Sequence, residues 1–155
     1  DNTRSRGLGD VYKRQNTAYT FDIDQRTIEE KKEWFHQFKN SETSICLVGY
    51  ENDDLVGFVC STKFREKEAY NQSLETSVYI SEKFKGRGFG KKLMFELITR
   101  LKSTNIKNLY ALITYPNKTS INLHKSLNFT KVGILNNVGY KFKKYWSVHI
   151  YELKL

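Results

Sequence analysis

Residues 77–93 read Ser-Val-Tyr-Ile-Ser-Glu-Lys-Phe-Lys-Gly-Arg-Gly-Phe-Gly-Lys-Lys-Leu, and the hydrophobic period changes inside this stretch. Val78 and Ile80 alternate with polar neighbours as a half-buried strand does, whereas Leu93, Met94, Leu97, Ile98 and Leu101 recur at the spacing of one helix face. Gly86, Gly88 and Gly90 stand where the period switches. A strand must therefore become a helix within a few residues, which commits the chain to helices layered on a sheet. The glycines let the backbone turn with no Cβ in the way, so successive N–H groups can face one anion. The helix start adds unpaired donors and about half a positive charge, and Lys85, Arg87, Lys91 and Lys92 surround the same point. A phosphate-binding turn is predicted; an ordinary turn with solvated lysines is the other reading. Gly86-x-Gly88-x-Gly90 lacks the spacing of a dinucleotide fingerprint, and no Gly-Lys-Ser/Thr follows four variable residues as in a P-loop.

Periodicity elsewhere predicts a helix over 27–40, with Thr27 and Glu30 spaced as a capping box. Strands follow over 45–50 and 55–64, joined by the turn residues Glu51-Asn52-Asp53-Asp54, then a strand over 74–81 and the helix from 88 to about 104. A strand over 109–114, a short helix over 120–127 and strands near 131–137 and 147–154 complete the pattern, the last two enclosing a predicted loop over 140–146. With one proline, no low-complexity run and 155 residues, one domain without an internal linker is expected.

Hydrophobic residues at 39% and aromatics at 14% argue against a disordered chain, and no apolar run approaches the roughly 20 residues of a membrane-spanning helix. No membrane association is expected. Cys46 and Cys60 lack CxxC or metal-ligand spacing and lie in apolar strand-like stretches, so they read as buried free thiols in a reducing cytoplasm. His36 and His149 have no ligand-like spacing partners, and no metal is assigned. A formal charge of +9 fits a nucleic acid, an acidic partner or a polyanionic small molecule. Scattered basic residues and the lack of any RRM, KH or helix-turn-helix signature make nucleic acid the least expected of these.

Residues 5–15, Ser-Arg-Gly-Leu-Gly-Asp-Val-Tyr-Lys-Arg-Gln, read like the in-frame translation of a transposase-type sequencing adapter, with an ordinary basic arm as the alternative. On the first reading residues 1–15 are non-native. Their Arg4, Arg6, Lys13 and Arg14 against Asp1 and Asp10 carry +2 of the charge, leaving +7 on 16–155.

The glycine turn resembles the acetyl-CoA pyrophosphate loop of the GNAT N-acetyltransferases, in which Gln or Arg precedes x-x-Gly-x-Gly/Ala. Lys85 stands at the first position, and Gly88 and Gly90 match. Four more stretches resemble, in the same order, the phosphinothricin acetyltransferase-like branch of amino-acid N-acetyltransferases. They are Thr20-Phe21-Asp22 with Thr27-Ile28-Glu29-Glu30 and Trp34-Phe35; Leu74-Glu75-Thr76-Ser77-Val78-Tyr79-Ile80; Asn117 to His124 with Leu127-Asn128-Phe129; and Val138-Gly139-Tyr140-Lys141-Phe142 with Trp146. The resemblance covers roughly 16–155 and implies a single α/β (α+β) domain, a mixed and mostly antiparallel sheet flanked by helices. The family's first strand and helix precede the Thr20-Phe21-Asp22 segment, where this chain has little sequence, so those elements are expected to be missing.

The resemblance also implies acetyl-CoA as co-substrate and an amine as acceptor. It places Lys85, Gly86, Arg87, Gly88, Phe89, Gly90 and Lys91 on the pyrophosphate, the Val78, Tyr79 and Ile80 backbone along the pantetheine arm at a splay beside their strand, and Asn117 on CoA, with helix capping as that residue's other role. Acyl transfer to an amine needs a group to take the amine's proton and donors for the developing oxyanion. Glu75, which matches the branch's catalytic glutamate, is the candidate base: it shares a strand face with Ser77 and Tyr79, and partial burial would raise its pKa toward the useful range, an edge or solvent-facing glutamate in an ion pair being the alternative. His124 stands where relatives carry a proton donor for the departing thiolate, a packed histidine being the alternative. Phe21, Tyr79, Tyr140, Phe142 and Trp146 line the acceptor pocket by analogy, or belong to the core. Lys143-Lys144-Tyr145 and Ser147 depart from the branch pattern, so the acceptor is the least determined feature. The expected activity is acetylation of a small amino acid or analogue, such as phosphinothricin or methionine sulfone. A peptide or protein N-terminus as acceptor, or a non-catalytic CoA-binding module, are the alternatives, and a homodimer is left open.

Overall fold

The computed structural model describes residues 27–155. The expectations for residues 1–15, for Phe21 and for the family's first strand and helix lie outside this range. Helix α1 (Ile28–His36) starts on the capping box: Thr27 Oγ1 accepts from the Glu30 N–H at 3.2 Å while the Glu30 carboxylate accepts from the Thr27 N–H at 2.7 Å. It gives way to turns before residue 40 instead of running through it, ahead of Asn40 in the left-handed region at φ 58°. Strands β1 (Cys46–Glu51) and β2 (Asp54–Lys63) form a tight hairpin with Asn52 at φ 53°. Then come β3 (Ser73–Ile80), α2 (Phe89–Leu101), β4 (Asn108–Tyr115), α3 (Lys118–Ser126), β5 (Thr130–Lys141) and β6 (Lys144–Lys154).

The six strands form one sheet in the order β1-β2-β3-β4-β6-β5, antiparallel except for the parallel neighbours β3 and β4. The crossover between that pair carries α2. Its apolar stripe, Met94, Leu97, Ile98 and Leu101, is buried with Val59, Leu74, Leu109, Ala111 and Ile113 of the sheet, and Leu127, Phe129 and Tyr151 extend the cluster. Since strand side chains alternate, Leu74, Thr76 and Val78 point toward this core and Glu75, Ser77 and Tyr79 to the other face. Cys46 and Cys60 are cross-strand neighbours and free thiols; burial pushes the Cys60 thiol up to about 12. No helix among the described residues is long and apolar enough to cross a membrane.

Two features position the site. The parallel ladder between β3 and β4 has three rungs, Ser73, Leu74 and Glu75 opposite Asn108, Leu109 and Tyr110, and stops there. Beyond it β3 stays bonded to β2 as far as Ile80 opposite Gly57, while β4 follows β6 as far as Tyr115 opposite Ser147, so the strands part company. The second feature corrects an expectation: residues 140–146 are not a loop but the end of a β5–β6 hairpin, with Tyr140 opposite Tyr145 and Lys141 opposite Lys144. Its turn is two residues long, Phe142 and Lys143, both left-handed at φ 56° and 57°. A two-residue turn needs that twist but usually advertises it with Asn-Gly, which this chain lacks.

Candidate active site

The parallel strands β3 and β4 both end at the same end of the sheet, and the chain leaves each of them into a helix there. The N-termini of α2 and α3 therefore lie at the end where the ladder has opened, the strand carboxyl ends at which open sheets bind ligands.

The turn before α2 is anchored at its start. The Ser81 N–H donates to the Val56 carbonyl at 2.9 Å, and Phe84 is buried, meeting Phe89 edge-on with ring centroids 5.8 Å apart. Gly86 and Gly88 lie in the left-handed region at φ 73° and 80°. A Cβ added to either would meet nothing within 4 Å, so the space above both is open. Gly88 caps α2 with no side-chain bond, leaving the Phe89, Gly90 and Lys91 N–H groups without intrahelical partners. At Gly90 a Cβ would stand at ordinary contact distance, 3.4 Å from Leu123 and 3.5 Å from Ile80, where α2, α3 and β3 meet. Lys91 and Lys92 flank an open depression beside Gly88 and Phe95. Two of the cations expected here are already engaged. Arg87 forms a two-pronged pair with Glu51 at 2.6 and 2.8 Å, and Lys85 pairs with Glu82. Arg87 thereby braces the turn against the β1–β2 hairpin.

Glu75 occupies the last rung of the parallel ladder, half-buried on the face opposite α2. Burial raises its carboxyl above the ordinary carboxylate range, and the positive charge of Arg65 partly offsets this. Tyr79, four residues toward the open end, stacks on Phe58 at 5.5 Å. The Val78–Ile80 stretch has β2 on one side and, past the end of the ladder, no β4 on the other.

Asn117 caps α3, its Oδ1 accepting from the Ser120 N–H at 3.2 Å, so the capping role expected as an alternative holds. His124 is 2% exposed and meets Phe129 edge-on. Its Nδ1 lies 2.7 Å from the Ser120 carbonyl, an atom that can only accept, so Nδ1 carries the proton. Burial also lowers its pKa. His124 is thus buried against Phe129 with its Nδ1 proton directed at the Ser120 carbonyl. Stability linked to it is present above the ordinary histidine pKa of 6.5 and is lost as pH falls below that value toward the lowered folded one. Denaturation between pH 7 and 5 should show this loss, and His124→Gln should flatten it.

The expected pocket aromatics Tyr140, Phe142 and Trp146 share the open end of the sheet but stand on the β5–β6 hairpin, across β4 from Glu75. Tyr140 and Phe142 are 57% and 50% exposed, and the Trp146 indole N–H is tied to the Lys141 carbonyl at 2.9 Å. Closer to Glu75 are residues the sequence did not single out: Arg65, Phe64 and Tyr110. Alternation marks Tyr110 as an outward strand residue, but only the β3–β4 register makes it Glu75's neighbour. Among the described residues no group of three or more His, Cys, Asp or Glu could hold a metal.

Residues 7–150 match the family profile described as Acetyltransferase (GNAT) domain. The chain is 34% identical over 152 residues to phosphinothricin N-acetyltransferase of Streptomyces coelicolor, covering 96% of this chain and 89% of that protein. The crystal structure of an N-acetyltransferase from Staphylococcus aureus Mu50 superposes with a TM-score of 0.89 at 30% identity, over 99% of this chain and 94% of that one. That of ribosomal-protein-alanine N-acetyltransferase from Brucella melitensis gives 0.89 at 27% identity, over 100% and 96%.

Proposed function

Because the chain belongs to the GNAT acetyltransferase family, we propose that it transfers an acetyl group from acetyl-CoA to the amine of a small amino acid or amino-acid analogue, with Glu75 taking the proton. The observation that carries this reading is the position of Glu75: a half-buried carboxylate with a raised pKa on the last rung before β3 and β4 separate. The likeness to phosphinothricin N-acetyltransferase supports the acceptor class, as does the Arg65 charge beside Glu75, which suits an acceptor bearing its own acid group.

The residues present fit acetyl-CoA. The open backbone of Gly86 and Gly88, the unpaired first-turn N–H groups of α2, and Lys91 and Lys92 together suit a pyrophosphate. The side of Val78–Ile80 that lies past the end of the β3–β4 ladder suits the amide-rich pantetheine arm, and Asn117 stands at the same end. When bound, acetyl-CoA supplies the activated acetyl thioester. Glu75, ionised, accepts the ammonium proton of the entering acceptor, directly or through water, and the desolvation that raises its pKa makes it a stronger base than a surface glutamate. The β3 backbone beyond the ladder offers N–H donors where negative charge develops on the carbonyl oxygen.

A peptide N-terminus as acceptor is the second reading, favoured by the likeness to the ribosomal-protein-alanine enzyme. The test is the thermal midpoint of the full chain with acetyl-CoA, followed by CoA release across small amino acids and short peptides. A hundredfold excess over Kd should stabilise the fold by about 2.7 kcal/mol. Gly88→Ala forces a side chain into the left-handed region and should shrink that rise. A cooperative melt that acetyl-CoA leaves unmoved would overturn the cofactor assignment.

A further inference from the structure

Tyr110 faces Glu75 across the last parallel rung, and residues side by side in neighbouring strands project from the same face. Its ring is held from two sides. The hydroxyl donates to Glu152 Oε2 at 2.8 Å, Glu152 being its register partner on β6. Across β3 the ring stacks on Phe64, centroids 4.6 Å apart and planes 29° from parallel, and Phe64 in turn meets Tyr70 edge-on at 6.0 Å. A tyrosine clamped at its hydroxyl and on its face cannot swing away, so it presents a fixed surface. The opposite face of the sheet is filled by α2 and the core. An acceptor approaching the gap from the Glu75 side must therefore offer its amine to the carboxylate while its substituent runs over Tyr110.

We propose that Tyr110 limits the size of the acceptor's side chain, and that Glu152 is a positioning residue that holds Tyr110 in place. The inference rests on Glu75 marking the acceptor side, as argued above. The acceptors admitted would be amines with small substituents, and removing the ring would admit larger ones.

The test compares the wild-type chain with Tyr110→Leu, Tyr110→Phe and Glu152→Ala. CoA release from acetyl-CoA is followed with a graded series of amino acids from alanine to leucine and phenylalanine, and with short peptides beginning with the same residues. Tyr110→Leu should shift the kcat/KM ratio of large over small acceptors by about tenfold or more, the scale of a methylene or two in a pocket. Tyr110→Phe and Glu152→Ala should move the ratio less, in the same direction, with the KM for acetyl-CoA unchanged. A merely structural role would lower every acceptor alike, and that result, or an unchanged ratio, would overturn the proposal. Should Tyr110→Leu fail to fold, the other two variants carry the same ratio test. A wild type active only on peptides would sink the small-acceptor reading instead, and the ratio read on the peptides' first residues would still decide the role of Tyr110.

Discussion

Glu75→Gln should lower turnover by about 10²–10⁴-fold, the range of a lost general base, without lowering stability and without weakening acetyl-CoA binding. The reasons are electrostatic. The fold holds the Glu75 carboxyl above its ordinary value of 4.5 because burial disfavours the charged form. A group whose folded pKa is raised contributes most to stability in its protonated form, below 4.5, and loses that contribution as pH climbs through the folded value. Glutamine, neutral at every pH, escapes this loss. The variant should therefore match wild type near pH 4 and be at least as stable at pH 8, as read from urea midpoints at the two pH values. Wild-type kcat/KM should rise with pH through the raised pKa of Glu75, and the variant should lose that limb. A variant that keeps its turnover, or that melts earlier at pH 8, would remove Glu75 from the role of base.

Gly57→Ala is expected to damage fold and cofactor site together. Gly57 faces Ile80, and a Cβ there would lie 2.1 Å from the Tyr79 carbonyl oxygen and 3.0 Å from the Ile80 Cα. Both are backbone atoms, so no rotamer change relieves the contact. The end of β3 must shift, and with it the adjoining Ser81 N–H to Val56 carbonyl bond that anchors the turn. Overpacking of this kind costs about 1–3 kcal/mol, and the displaced Val78–Ile80 backbone should weaken acetyl-CoA binding as well. Gly49→Ala is the control. Its Cβ would stand 3.3 Å from the end of the flexible Leu93 side chain, which can give way, so only a small stability change and normal cofactor affinity are expected. Equal losses in both variants would show that the close approach at Gly57 has no special bearing on the site.

Short-range physics made much of this legible. The Thr27–Glu30 capping box forms as spaced, the period switch at Gly86–Gly90 marks the boundary between strand and helix, and alternation along 74–80 puts Glu75 and Tyr79 on one face and Leu74 and Val78 in the core. The family, too, could be recognised from motifs quoted in order. The hairpin at 142–143 stayed hidden because Phe and Lys adopt left-handed angles there without any of the residues that normally signal them.

By itself the sequence determined most of the segments that become strands and helices, which way their side chains alternate, and that a glycine turn opens a helix. Those outcomes depend on steric preferences and periods within a few residues. Only the tertiary structure decided what stands beside what. The Arg87–Glu51 brace joins residues 36 apart and the Tyr110–Glu152 bond residues 42 apart. The ladder ends at Glu75 because β3 and β4 are each held by a different partner strand, and His124 is sealed under Phe129. No local pattern encodes such pairings, since they follow from the register of strands that meet only once the chain has folded.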